Sequence, residues 1–600
     1  VEAVYRLDNN NGNGTWQRQT MNDDGTGLYS ANLNQYTTNG NLIQFYVEAI
    51  AGGESTFQPI KGPDRPAMWV VDNRTMPSIL LRERFVVSAY DRQALNANVG
   101  GGATFDYNFP RMSNHFFNAT FIANESEIYY NAEIRKSGSP FTRATDSNLA
   151  HGKWKLPGDR LFRNRRRSVI DASGTSEGSG TPRFYDDRIA RYFLYQLGHP
   201  TNEMEFVHSV INTDAFKLRE NHEPISNDFL NRNFKDGTDG TLFRIDDEWR
   251  FTSDDGNARQ NRNADWSYKD TDNPTSYQSE WIMRTRESDH DFSTFVEFVR
   301  TLDGTFDEEE VNRMANARML GLNAAVRGYD ADWDTITVNR GKNAYMYRPA
   351  DNSGFMLLHW DGDRVFERST QAILGGRAGV SKYFAQPYVR RYVNYYLTKL
   401  LDEHTQGSAR TIAWMDAEIA SISGTGIVMP KSHYTNWFNI RETFSRNFVT
   451  SAVNNATFNI TTSNANTTAD ILALAGTSPP TVLDIRVAGH PDVTAQWTDK
   501  TNWMIDGLAL VEGSNVFDLE GIDHDGNVIE TDQFIIIKTN NAPPIILLKT
   551  DPKSLNVDIG ESITFDVSTS FDPEGDLLTF DWAVSPAYGA NLIPSGGIAE

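Results

Sequence analysis

The chain has 600 residues, too many for one hydrophobic core, and its length indicates roughly three to five domains. Acidic residues outnumber basic ones by 79 to 56, and the net charge of −23 argues against general nucleic-acid binding, which requires a basic surface. The sequence contains no cysteine, which excludes disulfides, thiolate zinc sites and cysteine nucleophiles.

Residues 1–78 alternate apolar and polar side chains between turns of the Asn-Gly and Asp-Gly type, as in NLIQFYVEAI. This period of two predicts strands with one buried face. We expect a small β-sandwich module here.

Residues 79–448 mix strand-like runs with segments of helical periodicity, which predicts one large α+β domain. The helical pattern is clearest in four segments: DDRIARYFLYQLG, STFVEFVRTL, EEEVNRMANARMLGLNAAV and YVRRYVNYYLTKLLDEH. The Gly/Ser-rich stretch DASGTSEGSGTPR is predicted to be a loop.

Strand patterns return over residues 449–540, where we expect an immunoglobulin-like β-sandwich, and continue over 541–600. STSFDPEGDLLTFDWAV resembles the start of a PKD-type or cadherin-like β-module. Asp523, Asp525 and Asn527 form a candidate Ca²⁺ loop, for which a bare β-turn is the simpler alternative because a full ligand set is not visible.

The chain begins with Val1 and stops at Glu600 inside strand-like sequence, so we expect it to be a piece of a longer protein. No apolar run approaches the roughly 20 residues that span a membrane. A long chain without disulfides, rich in Asn, Asp, Thr and Gly, is typical of bacterial surface or secreted proteins, and we expect an extracellular or cell-surface location.

Two acidic clusters flank a predicted hairpin, AYMYRPADNSGFMLL. Asp334 and Asn339 have the spacing D-x-x-x-x-N, which in protein kinases separates the proton-accepting Asp from a metal-binding Asn. Asp361 and Asp363 follow the apolar run GFMLLHW and offer hard oxygen ligands to Mg²⁺ or Mn²⁺. The Asp334–Asn339 spacing alone, or the Asp361–Asp363 pair alone, is also explained by a solvated turn or a cap. Their order along the chain and their distance apart together match the catalytic residues of protein kinases.

Cationic side chains that could bind phosphates lie upstream. Lys153 and Lys155 fall on one face of a predicted strand, with an exposed edge strand as the alternative. A local basic island could receive phosphates or an acidic substrate segment, or could form salt bridges with acidic neighbours. It consists of Arg160, Arg163, Arg165, Arg166 and Arg167.

These residues resemble the CotH family of spore-coat-type, atypical secreted kinases, and the resemblance covers residues 79–448. The similar segments run in the family's order: AEIRKSGSPFTR, KWKL, FKLRENHEPISNDFL, GTLFRIDDEWRF, DADWDTITVN and MLLHWDGD. The resemblance implies an α+β, atypical protein-kinase-like domain, flanked in this multidomain chain by all-β sandwich modules. It also implies ATP as phosphate donor, Mg²⁺ or Mn²⁺ as metal, and transfer to Ser or Thr of a protein substrate.

Carried over by position, the resemblance implies that Asp334, or alternatively Asp332, acts in the catalytic loop, and that Asn339 binds metal. Asp361 would be the principal metal ligand, with Asp363 assisting.

The resemblance also implies a set of nucleotide-binding residues. Lys155 or Lys153 would hold phosphates, Arg135 would lie beside the nucleotide, and Glu220 would pair with the lysine. The family's glycine normally follows the Ile-Arg pair directly, whereas here it is displaced to Gly138, which leaves open whether activity survives.

Two other functions stay open. A kinase-like surface adhesion or scaffold protein without turnover is favoured by the displaced glycine. A carbohydrate-active enzyme would use the paired carboxylates as acid and base and the many aromatic residues as a binding surface. The sequence leaves the oligomeric state and the substrate undetermined.

Overall fold

A computed structural model describes the chain in two compact units, residues 1–455 and 456–600. The described residues are 1–8, 14–33, 35–75, 78–98, 113–138, 151–172, 185–245, 248–251, 259–262, 264–304, 308–405, 408–453, 455–463, 466–539, 543–551, 558, 560–573, 575–583, 594–595 and 598–599. Most of the predicted Gly/Ser-rich loop lies outside these ranges. The division into four domains, at 1–78, 79–448, 449–540 and 541–600, stays a prediction.

Seven strands form the N-terminal region: β1 Glu2–Leu7, β2 Gln17–Thr20, β3 Asn22–Asp23, β4 Tyr29–Ser30, β5 Leu42–Ala51, β6 Glu54–Gln58 and β7 Ala67–Val70. Five of them make one antiparallel sheet in the order β2-β1-β5-β6, with β7 also paired to β5. Leu42 and Met68 of this sheet pack on Val86 of the region that follows, and the Met68 N–H donates to Thr120 Oγ1 at 2.8 Å. The sheet therefore shares part of its core with the next region.

The next elements are β8 Leu81–Val86, α1 Ala89–Ala97, β9 Phe117–Ala123, β10 Glu127–Lys136, β11 Gly152–Lys155, β12 Arg167–Asp171, α2 Asp186–Gln196, β13 Met204–Ile211 and β14 Lys217–His222. The strands close into a barrel in the order β10-β11-β12-β14-β13-β8-β9. Phe121, Ile134 and Trp154 fill its interior. Because side chains alternate along a strand, Lys153 and Lys155 point to the outside of the barrel.

A mostly helical lobe follows: α3 Asn227–Asn233, β15 Thr241–Ile245, β16 Glu248–Phe251, β17 Arg259–Arg262, β18 Trp281–Met283, α4 Ser293–Asp303, α5 Glu308–Met314, α6 Ala317–Tyr329, β19 Ala344–Arg348, β20 Met356–His359, α7 Ala378–Phe384, α8 Pro387–Glu403, α9 Ala409–Ser421 and α10 Lys431–Val453. Four of its strands pair in the order β18-β15-β19-β20. The predicted hairpin is β19 and β20, with Ala344 opposite His359.

The segment EEEVNRMANARMLGLNAAV is two helices rather than one. Asn316 interrupts the pattern because its Oδ1 accepts the Met319 N–H at 3.0 Å and caps α6. Residues 320–329 of α6 are all buried, and α6 packs against α8 and β20. This central helix leads directly into the first acidic cluster.

The second unit contains β21 Asn459–Ile460, β22 Asn466–Thr467, β23 Ile471–Thr477, β24 Asp484–Val487, β25 Gln496–Trp497, β26 Asn502–Ala509, β27 Gly513–Ile522, β28 Val528–Lys538, β29 Lys549–Asp551, β30 Thr564–Asp566, β31 Pro594–Ser595 and β32 Ile598–Ala599. They form three four-stranded sheets: β21-β23-β26-β25, β22-β28-β27-β24 and β29-β30-β32-β31. Burial alternates along β23 and β27, as in sheets with one buried face. The immunoglobulin-like and PKD-like assignments stay predictions.

The candidate Ca²⁺ loop of this unit is a turn closed by Asp523, whose Oδ1 accepts the backbone N–H groups of Asp525 and Asn527, each at 2.9 Å. A side chain that closes a turn in this way requires no metal. Among the helices of the described ranges, none has the length and apolar character needed to cross a membrane.

Candidate active site

The site lies where the hairpin of the helical lobe meets the barrel and α2. Asp361 and Asp363 follow β20 in the turn Trp360–Asp363, and Asp334 follows α6 in the loop that leads to β19. Asp361 has a left-handed backbone conformation with φ 58°. Such a conformation is uncommon for residues other than glycine and is often found at functional sites.

The carboxylates of the two acidic clusters interact electrostatically. Burial, followed by the charge of Asp171, raises the pKa of Asp361 to about 7, against the opposing effect of Lys342. Burial and Asp361 raise the pKa of Asp363 well above its ordinary value, and Asp334 contributes to both shifts. The fold thus brings carboxylates from three separate segments close enough to interact: Asp171, Asp334, and Asp361 with Asp363.

Asp334 contacts two cations and one amide side chain. Its Oδ2 accepts from Lys342 Nζ at 2.8 Å and from Asn343 Nδ2 at 3.2 Å, and Arg340 lies 3.3 Å from Oδ1. Burial lowers the pKa of Lys342, but Asp334 more than offsets this and the pKa of Lys342 is raised overall. Lys342 is therefore a charged ammonium group within the acidic cluster.

The structure distinguishes the two asparagines of this loop. Asn339, which the D-x-x-x-x-N spacing selects, is exposed, and its backbone N–H donates to the Thr335 carbonyl at 3.0 Å. Asn343 is 8% exposed, has φ 55° and donates to Asp334. The prediction for Asn339 stays a prediction, and Asn343 is a second candidate that the spacing argument missed.

Asp332 is fully buried and pairs with the guanidinium of Arg327, which is 1% exposed. Burial raises the pKa of Asp332 to about 6, although Arg327 lowers it. Asp332 Oδ1 accepts the Asp334 N–H at 3.1 Å and so fixes the backbone of the loop. The contacts of Asp332 position the loop, whereas Asp334 faces the charged groups.

Asp187 of α2 connects the barrel side to the metal-binding turn. Its Oδ1 accepts from His359 Nε2 at 2.6 Å and from the Gly362 N–H at 3.1 Å, between the two metal-ligand candidates. Its Oδ2 accepts from Arg191 at 2.7 Å. Burial would raise the pKa of Asp187, but Arg191 and His359 hold it well below the ordinary value. His359 in turn accepts from Arg327 through Nδ1.

Glu220 lies on β14, opposite Asp171 of β12, and its Oε2 is 3.1 Å from His222 Nε2. Burial, followed by the charges of Asp171 and Asp187, raises the pKa of Glu220 well above its ordinary value. The Glu220 carboxylate therefore contacts the imidazole of His222, and the predicted pairing of Glu220 with a strand lysine stays a prediction.

The predicted nucleotide-binding cations share one outer face of the barrel, with Arg135 opposite Lys153 on neighbouring strands. Lys155 pairs with Glu133 and lies over the ring of Phe116, 4.6 Å from its centre. Arg135 donates to Asn114 Oδ1 at 2.6 Å. Gly138, two residues beyond the end of β10, has φ 97°, a conformation that favours glycine.

The donor set fits a divalent cation of the Mg²⁺ or Mn²⁺ kind. Asp361 and Asp363 keep part of their surface exposed, and burial, followed by neighbouring carboxylates, raises the pKa of both groups. A divalent cation would favour their deprotonated form. Within the described ranges, no three His, Asp or Glu side chains are arranged to hold a metal on their own. Mg²⁺ commonly uses one or two carboxylates and takes its other ligands from water and substrate phosphates.

Sequence reasoning missed four residues of the site: Asp171, Asp187, Lys342 and Asn343. Lys342 and Asn343 stand directly before the strand AYMYR, and this position at a strand end was the available signal. Asp171 and Asp187 come from a strand and a helix that only the tertiary fold brings to the turn.

Comparison with known proteins gives one family match, and it covers this region. The family model described as CotH kinase protein matches residues 159–412, a range that includes α2, the hairpin and the turn after β20. No curated protein gives a significant match. A solved structure, the twitchin kinase region from C. elegans, is 8% identical over 90% of this chain and 93% of that chain, with a TM-score of 0.16, too low to support any inference. Residues 159–412 of the chain are therefore similar to the CotH kinase family.

Proposed function

We propose that the protein is an ATP-dependent protein kinase that uses Mg²⁺ or Mn²⁺ and transfers the γ-phosphate to Ser or Thr. The family match supports a kinase-like phosphotransferase. The observation that carries the proposal is the meeting of Asp334, Asp361 and Asp363 around Lys342.

Each residue has a chemical role in this proposal. The oxygen of the acceptor hydroxyl forms a bond to the γ-phosphorus of ATP while Asp334 accepts the hydroxyl proton. The bond between the γ-phosphorus and the departing ADP breaks in the same transfer. Lys342 neutralises charge on the transferred group. Asp361 and Asp363 would hold the divalent cation, which supplies electrostatic stabilisation of the phosphates. Asn343, or Asn339, completes the oxygen ligands.

The test uses the full chain, γ-labelled ATP and Mg²⁺ or Mn²⁺, with phosphorylated residues located by mass spectrometry. We expect label on Ser or Thr, and we expect Asp361→Ala to lower transfer by about a hundredfold or more, the order found when one transition-state stabiliser is removed. Asn343→Ala and Asn339→Ala form a matched pair: the larger loss identifies the asparagine that acts with Asp334.

A nucleotide-binding scaffold without turnover is the second candidate. It is favoured by the engagement of Asp334 with Lys342 and Arg340, since an acceptor hydroxyl must compete with these cations. Binding of ATP without transfer of label would support this candidate, and failure to bind ATP would contradict both.

The proposal extends to location. We infer that the protein acts outside the cell or at a bacterial surface, supported by the Asn-, Asp-, Thr- and Gly-rich composition and the β-rich flanks. Detection of the protein only in the cytoplasmic fraction of its source would contradict this part.

A further inference from the structure

A cavity of about 690 Å³ opens between the outer face of the barrel and the helical lobe. Strands β10, β11 and β12 form one wall, and the other wall includes Arg244, Tyr345 and residues 284–287 after β18. The connection between β14 and α3, residues 224–228, lies at one end. A cavity of this volume can hold a small-molecule ligand or one side chain of a bound peptide.

The cavity has the opposite charge to the chain as a whole. Eight of its lining residues are Lys or Arg and two are Asp or Glu, whereas the chain has a net charge of −23. None of the acidic residues assigned to the metal site, Asp334, Asp361 and Asp363, is among the described lining residues. The Lys and Arg side chains that line the cavity are thus distinct from Lys342 and Arg340, which contact Asp334 in the acidic cluster.

The basic island of the sequence divides between this cavity and the protein surface. Arg163 and Arg165 both pair with Glu205, and Arg160 lies over the ring of Tyr129. Arg166 and Arg167 instead line the cavity. Salt bridging therefore explains part of the island, and the cavity-lining arginines need another explanation.

Arg167 and Arg284 are exposed, and neither guanidinium has an acidic partner within the described part of the chain. Arg167 belongs to the barrel and Arg284 to the helical lobe, where its N–H donates to the Leu242 carbonyl at 2.8 Å and fixes the backbone. Burial, followed by the charge of Arg167, lowers the pKa of Lys155. Cations that repel one another in this way are stabilised by a bound anion.

We propose that this cavity is a phosphate-binding subsite, separate from the metal carboxylates, in which Arg167 and Arg284 bind one phosphate group from opposite walls. Planar guanidinium groups donate paired hydrogen bonds to phosphate oxygens, which makes arginine well suited to this role. The phosphate comes either from a nucleotide or from a phosphorylated side chain of a protein. The subsite does not depend on phosphoryl transfer.

The first test measures binding of inorganic tripolyphosphate to the full chain by calorimetry in EDTA, where no metal contributes. We expect Arg167→Gln/Arg284→Gln to weaken binding at least about tenfold, as expected for loss of charge-assisted hydrogen bonds. Arg300→Gln/Arg313→Gln is the matched control, because it removes two exposed charges that lie outside the cavity. This control should bind as the unchanged protein does.

Tripolyphosphate binding that is absent in EDTA, or unchanged in the double variant, would overturn the subsite. Arg284→Gln alone is a second variant, chosen because the exposed side chain has no described ion pair whose loss would unfold the protein. Two further titrations in EDTA identify the source of the phosphate. Arg284-dependent binding of ATP assigns the subsite to a nucleotide, and Arg284-dependent binding of a phosphoserine peptide over its unmodified form assigns it to a phosphorylated protein.

Discussion

At the scale of single residues, Asp361 couples the metal site to pH. Its pKa of about 7 in the folded protein lies well above the ordinary value of an aspartate, about 3.9. Between these values the unfolded chain has lost a proton that the folded protein retains. The contribution of Asp361 to the stability of the metal-free protein therefore falls as pH rises through this window. Because a metal binds the deprotonated carboxylate, metal affinity rises over the same range.

We expect Mn²⁺ with ATP to raise the melting temperature more at about pH 7.5 than at about pH 5.5, since at the lower pH the metal must displace a proton. The measurement is thermal unfolding at both pH values, with and without Mn²⁺ and ATP. Asp361→Asn, which lacks the titrating carboxyl group, should show a smaller shift with a weaker dependence on pH. An equal shift at both pH values in the unchanged protein would contradict the assignment of Asp361.

The residue scale also shows what the sequence could predict about the site. Asp361 and Asp363 were predictable because they directly follow a buried strand, and strand ends commonly carry functional groups. The outward direction of Lys153 and Lys155 followed from strand alternation. Asn343 was missed because the kinase spacing selected Asn339, and only the loop conformation shows which side chain turns inward.

At the scale of elements, α2 is bound to the metal turn through Asp187. A Cβ added at Gly362 would lie 2.5 Å from Asp187 Oδ1 and 3.1 Å from His359 Cε1. The close approach of helix and turn therefore depends on glycine at this position. The pattern of the sequence predicted α2 and the hairpin separately, but the contact between them depends on tertiary packing.

We expect Gly362→Ala to lower the rate of transfer by about tenfold or more with little change in the KM for ATP, because the added methyl group displaces the turn that orients both metal ligands. Gly158→Ala is the control, since a Cβ there meets no atom within 4 Å. Steady-state kinetics at varied Mg²⁺ would locate the effect. A change confined to thermal stability would mean that Asp187 holds the fold together without positioning the turn.

The N-terminal sheet shows a second structural feature that the local sequence pattern does not predict. Alternation along NLIQFYVEAI correctly predicted a strand, β5, with one buried face. Local pattern does not specify the layer that covers a buried face. Here the Leu42 and Met68 side of the sheet packs against Val86 of the barrel, a contact that depends on residues far apart in the sequence.

At the scale of the whole molecule, the helical lobe extends beyond the family match that ends at residue 412. Arg441 of α10 is fully buried and donates to four backbone carbonyls of the catalytic region: those of Gly328, Tyr329, Ser369 and Gln371. Arg441 thereby supplies hydrogen-bond donors to carbonyl groups at the end of α6 and in the segment that follows the turn Trp360–Asp363. These contacts join α10 to the end of α6 and to the segment that follows β20.

We expect Arg441→Met to lower the melting temperature of the full chain by several degrees and to reduce transfer, because each buried carbonyl left unpaired costs about 1–3 kcal/mol. Arg446→Met is the matched control on the same helix, where the exposed guanidinium pairs with Asp402 and Glu442 and its loss should cost under about 1 kcal/mol. Equal effects of the two substitutions would show that α10 supports the fold only through its surface contacts.

The separation of charge between the carboxylates and the arginine-lined cavity has a kinetic consequence. The acidic cluster and the basic cavity together produce an electric field with a fixed direction. This field orients a charged ligand before the ligand touches the protein. A ligand that carries a divalent cation at one end and a free anionic group at the other would be turned into one orientation during its approach. Because salt screens such fields over about 8 Å at physiological ionic strength, the association rate should fall as salt is added while dissociation changes little.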